Sequence, residues 1–591
     1  MRTLIDFWRF RALTAGLIFG LTQRAEAQAP AFDQAVLNGD AQGANSFVST
    51  DAMATDIQGN TFVAGTFEGT VRFGAATLTS AGDADVFVAK RNASGTWQWA
   101  TSGGGIQRDM GTDVALDSQG QPYMTGYVAS GPRNVTTTAS FGTTTLTTAG
   151  WADVFVAKLD AATGAWLWAR QAGSGGISAG GDGYASALAS DGTGGFFVAG
   201  TFTGPSFSIG TNTLTTAGLF VAKINGATGT WGWAVGTEGA SVADLATDAQ
   251  GSAYLTGNFG TSVAFPPFQL NYTRGSYMAK LSAAGTWQWA TGLIGAQGAG
   301  TQVGPGATSC LGLAADNRGH VYAVGSFDGR TATFGATQLY NNSGTYFTEA
   351  PGSFQRADAF VARLSATTGT WQWAQRAGGN DEEYLTAPVV RGNRIYASGG
   401  FGIAPVYSPS GSPPMPSSST FGSTTLVSAG QMDVVVTALD TTGQWQWAVR
   451  AGGAFYDWAK NTAMDASNRV YVAGGFNGNS AQFGALSVAN SSGGRGTAGF
   501  LARLAGGPLA TAAALTAPFA LHVYPNPTHG TITVAGLPPD QGLEVLDALG
   551  RVILRSQMPV KGALNVVLPP ALPAGMYVVR AAGQSYRMLM D

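Results

Sequence analysis

An all-β fold is predicted for this chain: seven four-stranded blades closed into a ring, followed by a small β-sandwich. Three repeated strings predict it. Trp-x-Trp-Ala occurs six times, at Trp97-Trp99, Trp166-Trp168, Trp231-Trp233, Trp287-Trp289, Trp371-Trp373 and Trp445-Trp447, and uses 12 of the 15 Trp. A turn string, Asp-x-x-Gly then an aromatic and a Gly, starts at Asp56-Ile-Gln-Gly59 with Phe62 and Gly65; its seventh copy is Asp465/Asn468/Tyr471/Gly474. An apolar run of the type Asp-Val-Phe-Val-Ala-Lys is centred on Phe87, Phe155, Phe220, Tyr277, Phe360, Val435 and Phe500. The period is about 69 residues, and a unit this long with four strand signals reads as a β-propeller blade with extended loops.

Composition agrees. A chain of 591 residues is too long for one ordinary core. Charged residues are 11%, but 45% of the chain is apolar and 11% aromatic, which excludes a disordered chain. The net charge of −3 and the absence of any Lys/Arg run exclude a nucleic-acid footprint. The one cysteine, Cys310, permits no internal disulfide and reads as a small buried apolar side chain. No cofactor is implied: no Gly-rich phosphate loop opens a helix, and strings such as Gly103-Gly104-Gly105 precede another strand.

In chain order, residues 1–27 read as a secretory signal. Arg2, Arg9 and Arg11 precede the apolar run Ala12 to Leu21, and Ala25-Glu26-Ala27 is a small-x-small cleavage site. The run is too short to span a bilayer, so export is expected and not membrane embedding. Residues 31–504 hold the propeller. Within each unit the turn string is a hairpin between strands one and two. Its turn position takes only Gly or Asn, which tolerate positive φ, and the Asp can bond its own backbone two residues on. The Val-Ala-Lys strand is the third. A short Thr-Gly or Ser-Gly turn joins it to the Trp strand, which is therefore the fourth and outermost. Two Trp one residue apart share a strand face, so the pair is a packing device. Phe32-Asp-Gln-Ala35 is a degenerate Trp strand and is expected to cross back and close blade seven. A further string, Phe-Gly-x-x-x-Leu, as at Phe73-Gly74, lies between strands two and three.

These units resemble the bacterial β-propeller repeats called SBBP, over about residues 31–504. Residues 505–520 are small and uncharged and read as a linker. Residues 521–591 show short alternating strands with Pro and Gly at their ends, a small antiparallel sandwich. Tyr524-Pro525-Asn526-Pro527, Gly530, Asp547 with Gly550-Arg551, and Gly575-Met-Tyr577 resemble the type A sorting domain of the type IX secretion system. That resemblance implies secretion or display on the outer surface of a Gram-negative cell, with the secretion machinery as a partner. The ending Arg587-Met-Leu-Met-Asp591 departs slightly from the usual basic-apolar one.

The repeated polar residues are read as structural. One Asp per blade at the turn does not make an oxygen cage for calcium, and no metal is expected. Lys90, Lys158, Lys223, Lys280, Arg363 and Arg503 recur at one strand position and are expected to be solvated. Asp109-Met110, Glu383-Tyr384 and Asp457-Trp458 share one register at the entry to strand one. Glu382 and Glu383 are adjacent and cannot straddle a glycosidic bond, so no catalytic residue is assigned. Loops between strands two and three and between blades vary in length and fall on one face, where function is expected. The variable stretches are 291–309, 340–356 and 403–420. Aromatics in or beside these loops, Trp151, Tyr340, Tyr346, Phe347, Tyr456 and Trp458, are the candidate ligand contacts. The expected function is binding of an extracellular glycan or protein by a monomer. The alternatives are an enzyme acting on extracellular polysaccharide and a structural surface component. The absence of a His–acid–nucleophile set weighs against the enzyme.

Overall fold

A computed structural model describes residues 29–43, 46–129, 136–148, 151–173, 181–272, 274–296, 308–342, 356–403, 416–491, 497–505, 522–524, 527–535, 542–547, 551–557, 564–569, 572–581 and 584–590. The expected signal peptide, nearly all of the linker, Tyr346, Phe347, Pro525, Asn526 and Gly550 lie outside these residues. The chain divides into two compact units, Met1–Gly507 and Pro508–Asp591. Every regular element among the described residues is a β-strand.

The first unit is built from seven sets of four antiparallel strands, four of them four-stranded sheets and three of them parts of six-stranded sheets. Blade 1 comprises Phe47–Thr55, Thr61–Glu68, Asp85–Arg91 and Trp97–Gly105. The second and third strands are almost wholly buried, which is why they read as continuous apolar runs and not as alternating ones. The first strands of the other blades are Met110–Leu116, Gly183–Ser190, Asp244–Thr247, Thr308–Ala315, Glu382–Arg391 and Asp457–Met464. Each lies beside the first strands of its neighbours, and the seventh lies beside the first, so these strands surround a common axis.

The ring closes as the degenerate Trp strand implies. Phe32–Leu37 pairs antiparallel with Ala498–Leu504, Phe32 opposite Leu504 and Leu37 opposite Phe500. Phe32 takes the place of a first Trp: its ring meets Phe483 edge-on at 5.6 Å, as Trp97 meets Phe73 at 5.2 Å. Arg503 grips Asp33 with two N–H groups at 2.8 and 2.9 Å. Across the same junction Asn461 donates to the Asp51 carbonyl at 2.8 Å, and Arg503 to the Ala93 carbonyl at 2.7 Å.

The Trp strand is fourth in its blade but not the last strand of every sheet. The Phe-Gly string forms a hairpin that reaches back to the preceding blade, and it pairs there with the end of the Trp strand: Ala139 opposite Gly105, Ala332 opposite Gly295, Thr420 opposite Gly378. Three sheets thereby have six strands. The hairpin satisfies the N–H and C=O row that an edge strand leaves open, which the repeat spacing alone did not show.

The recurrent Lys and Arg are also not solvated. Lys90 and Trp99 both donate to the Ala161 carbonyl in the next blade, at 2.8 and 3.2 Å. Lys280 and Trp289 do the same to Ala366, at 3.2 and 3.0 Å, and Arg363 and Trp373 to Thr441, at 2.7 and 3.3 Å. Lys158 faces Asp117 at 3.7 Å and Lys223 faces Asp191 at 2.7 Å. Burial between blades makes the amine useful as a donor; on an exposed strand it would be solvated and worth little. The Asp turns form as expected. Asp56 Oδ1 accepts Gln58 and Asn60 N–H at 3.0 and 2.8 Å, and Asn468 holds the turn position of its copy at φ 59°.

The second unit has two sheets. One holds His522–Tyr524, Thr531–Ala535 and Leu564–Val567; the other holds Val552–Gln557, Gly542–Leu546, Gly575–Ala581 and Gln584–Met590. Val523, Ile532, Val545, Val579 and Met588 fill the space between them.

The Trp289 contacts should dominate a single-site comparison. Trp289→Ala removes a buried ring and its N–H donor and is expected to cost about 3–5 kcal/mol. Ile57→Ala, at a turn residue 78% exposed, is expected to stay within about 0.5 kcal/mol. Urea unfolding of the two variants and the parent chain measures both.

Candidate functional site

Side chains on the first strands alternate. One is buried between blades and the next is half-buried toward the axis, as in Tyr184, Ser186, Met110 and Thr112. A bulge interrupts the pairing of first and second strands, for example between Ala185 and Ala187 and between Cys310 and Gly312. The bulge turns backbone N–H groups sideways, and acids from the preceding blade receive them. Asp113 accepts Leu188 N–H, and Asp244 accepts Leu313 N–H, both at 2.7 Å. Burial pushes Asp113 up to about 7 and Asp244 to about 6, against the pull of those N–H groups.

Aromatics gather at the loop-bearing end of the first strands. Tyr456 and Trp458 lie 5.2 Å apart with planes at 38°. Tyr384 comes from the neighbouring first strand and interacts electrostatically with Tyr456. A Cβ at Gly400 would meet the Tyr384 ring at 2.8 Å, and one at Gly475 the Trp458 ring at 2.5 Å. Both rings therefore lie flat on the second-strand backbone. Around the ring, Tyr127 meets Tyr184 edge-on at 4.9 Å, and its hydroxyl lies 2.7 Å from the Met110 sulfur. Lys460 on blade 7 pairs with Asp51 on blade 1. The end of the axis is thus rimmed by two aromatic groups and one ion pair.

Of the aromatics named from the sequence, Tyr456 and Trp458 belong to this cluster. Trp151 is 49% exposed at the entry to a third strand, where its backbone N–H donates to Asp182 at 3.2 Å. Tyr340 is 62% exposed on a rim hairpin, its hydroxyl donating to Gln338 at 2.9 Å. Those two stand apart from the axis. Tyr384 was read only as part of a structural register, and Tyr127 and Tyr184 were not named. The signal for Tyr384 and Tyr184 was the register that Met110, Tyr384 and Trp458 share behind an acid; Tyr184 occupies it behind Gly183, which hid the match, and Tyr127 lies opposite Met110 on the second strand.

The acids of that register form buried pairs. Asp109 lies near Asp85, Asp457 near Asp433, and Glu383 near Asp358, each pair spanning two blades. Backbone N–H groups hold them: Gly105 and Ala129 on Asp109 at 2.6 and 2.9 Å, Ala81 on Asp85 at 2.7 Å, Ala429 on Asp433 at 2.6 Å. Asp433 Oδ1 and Asp457 Oδ2 both lie 2.7 Å from the place a Cβ at Gly452 would occupy, and the backbone there has φ 140°. Only glycine leaves that space to the two carboxyl groups. Burial pushes Asp85 up to about 6, Asp109 to about 7, Asp433 to about 6 and Asp457 to about 8; the neighbouring acid adds to the rise at Asp109 and Asp457. Glu383 is raised well above the usual range for the same two reasons and accepts hydrogen bonds from Ser419 and Gly379. Asp109, Glu383 and Asp457 are sealed from solvent, so they are out of reach of a polymer substrate. No group of three or more metal-ligating side chains occurs among the described residues.

In the second unit, Asp547 Oδ1 accepts the Arg551 N–H at 2.9 Å and Oδ2 its Nε–H at 2.6 Å. Tyr577 is buried and donates to the Pro573 carbonyl at 2.7 Å, while Tyr524, Pro527 and the Arg551 head are exposed. The motif residues Gly530 and Gly575 sit at the entries to strands.

Residues 522–589 match the family model described as the secretion system C-terminal sorting domain. That match marks the chain for secretion or cell-surface attachment. No helix among the described residues is long and apolar enough to cross a membrane. No curated protein matches the chain. Among solved structures, the RRP9 WD40 repeats align over 81% of this chain and 100% of their own, at 11% identity and a TM-score of 0.41. The Dos1 propeller aligns over 80% and 96%, at 9% and 0.37. The quinohemoprotein alcohol dehydrogenase ADHIIG from Pseudomonas putida HK5 aligns over 82% and 78%, at 11% and 0.34. Likenesses at this level transfer no activity to this chain.

The acid pairs set a pH dependence. A carboxyl whose folded pKa is raised contributes stability that is complete below its unfolded value, about 3.9, and that is lost as pH rises through the folded value. The thermal midpoint is therefore expected to fall from about pH 4 to about pH 8, most steeply between about pH 4 and about pH 6, where the unfolded carboxyls have ionised and the folded ones have not. Asp457→Asn removes the most strongly shifted of these carboxyls and should lessen that fall. A melting series across this range, with and without the substitution, measures it.

Proposed function

We propose that this chain is a secreted or surface-displayed binding protein whose ligand, an extracellular glycan or protein, sits at the loop-bearing end of the propeller axis. The supporting observation is the convergence of Tyr384, Tyr456 and Trp458 there, on or just before two first strands that pack side by side. The opposite end is made of the repeated Asp turns, whose carboxylates are occupied by their own backbone. One end of the molecule is thus uniform scaffold and the other varies from blade to blade, as binding faces do. Binding would come from stacking and hydrogen bonding by half-buried aromatics, without covalent chemistry.

Export fits the type IX route, in which the second unit engages the secretion machinery, is carried to the outer surface of a Gram-negative cell and is removed. The propeller repeat fits the SBBP type. The propeller spans residues 31–504, joined by 505–520 to the sorting domain at 521–591, and acts as a monomer.

Two measurements test this. Deleting residues 521–591 should leave the propeller inside the cell, read by fractionation; normal release would overturn the export reading. Trp458→Ala and Tyr456→Ala should each weaken whatever the parent chain captures on glycan and protein arrays, by about tenfold or more, while Tyr340→Ala leaves it unchanged. Binding indifferent to both mouth substitutions would remove the site.

A further inference from the structure

The Tyr384–Tyr456–Trp458 cluster includes one carboxylate that the packing does not consume. Glu382 immediately precedes the buried Glu383 on the same first strand, so strand alternation turns it to the opposite side, toward the axis. Tyr384, two residues on along that strand, shares this face with it, and the Glu382 charge also reaches Tyr456 from the neighbouring blade. No described residue donates a hydrogen bond to it. The nearest cation acting on it is Arg356, whose guanidinium is already engaged by Asp381 and by the Asn380 carbonyl at 2.7 Å. On the other flank, Lys460 is neutralised by Asp51. The local field therefore contains one half-buried carboxylate and three π faces, all of which favour a positive ligand.

From this arrangement we infer that the site takes an amine-bearing sugar, its ammonium group on Glu382 and its ring against the Tyr456–Trp458 pair. The inference rests on the binding reading above and deepens it. A primary ammonium needs hydrogen-bond acceptors, and Glu382 with the two phenol oxygens supplies them. A quaternary ammonium would leave those acceptors unmatched. The sugar ring supplies an apolar C–H face for the aromatics and hydroxyls for the tyrosines, a combination that an extended lysine side chain lacks. The Tyr384 and Trp458 rings cannot retreat, because each already rests on a glycine backbone, at Gly400 and Gly475.

Isothermal titration of the full chain with a glucosamine tetramer, its N-acetylated counterpart and a lysine tetrapeptide tests this. The glucosamine tetramer is expected to bind, and the acetylated one to bind about tenfold more weakly or worse, because acetylation removes the charge. Glu382→Gln should weaken the amine ligand by about tenfold and leave the melting curve in place. Trp458→Ala should weaken both sugars. Equal binding of the two sugars, an unaffected Glu382→Gln, or stronger binding of the lysine peptide would each overturn the amino-sugar assignment. If array binding still depends on Trp458 in that case, the mouth remains a binding site for another ligand; if it does not, the broader reading fails as well.

Discussion

At five junctions among the described residues, a single carbonyl at the turn between strands three and four holds a blade to the one before it. In three junctions it receives both an indole N–H and a Lys or Arg N–H, and at the closing junction Arg503 makes the same reach to Ala93. Apolar packing between blades is non-directional, and it would tolerate sliding. A buried carbonyl with two fixed donors does not, because any shift leaves polar groups unpaired in a dry environment. At two junctions the first Trp of the pair works in the opposite sense. Trp166 and Trp231 donate back to Ser102 and Gln171, at 2.9 and 3.2 Å. The pair therefore ties a blade to both of its neighbours.

That division of labour explains the asymmetry of the molecule. The end with the Asp turns and the staple carbonyls repeats because every junction needs it. The other end carries no such duty, so its side chains differ from blade to blade, and the mouth aromatics come from three or four blades only. The rim hairpins contribute by covering the open ends of the Trp strands, which removes the edge-pairing hazard of separate sheets.

The buried acids belong to the same logic of junctions. Asp113 and Asp244 capture N–H groups released by the bulges, and the Asp85–Asp109 and Asp433–Asp457 pairs anchor the loops that cross between blades. Their raised pKa values result from burial in that structural role. The half-buried acid beside them, Glu382, is the one with chemistry to offer a ligand.

Local strings sufficed for the four strands of each blade, their order and the closing role of Phe32–Leu37, because strand alternation, turn geometry and a fixed period are properties of neighbouring residues. The sorting unit was legible for the same reason: its motif residues, Asp547 and Arg551 among them, lie within a few positions of one another. The Lys and Arg ladder was misread, since a residue's exposure depends on what the next blade brings to it some 60 to 90 residues away along the chain, as Lys90 to Ala161 and Lys280 to Ala366 show. The mouth was half visible. Tyr456 and Trp458 stood out beside a loop, but Tyr384 and Glu382 joined them only through the packing of consecutive blades, which brings first strands from different repeats side by side around one axis. Proximity of that kind is set by the angle between blades, and no short stretch of sequence encodes an angle.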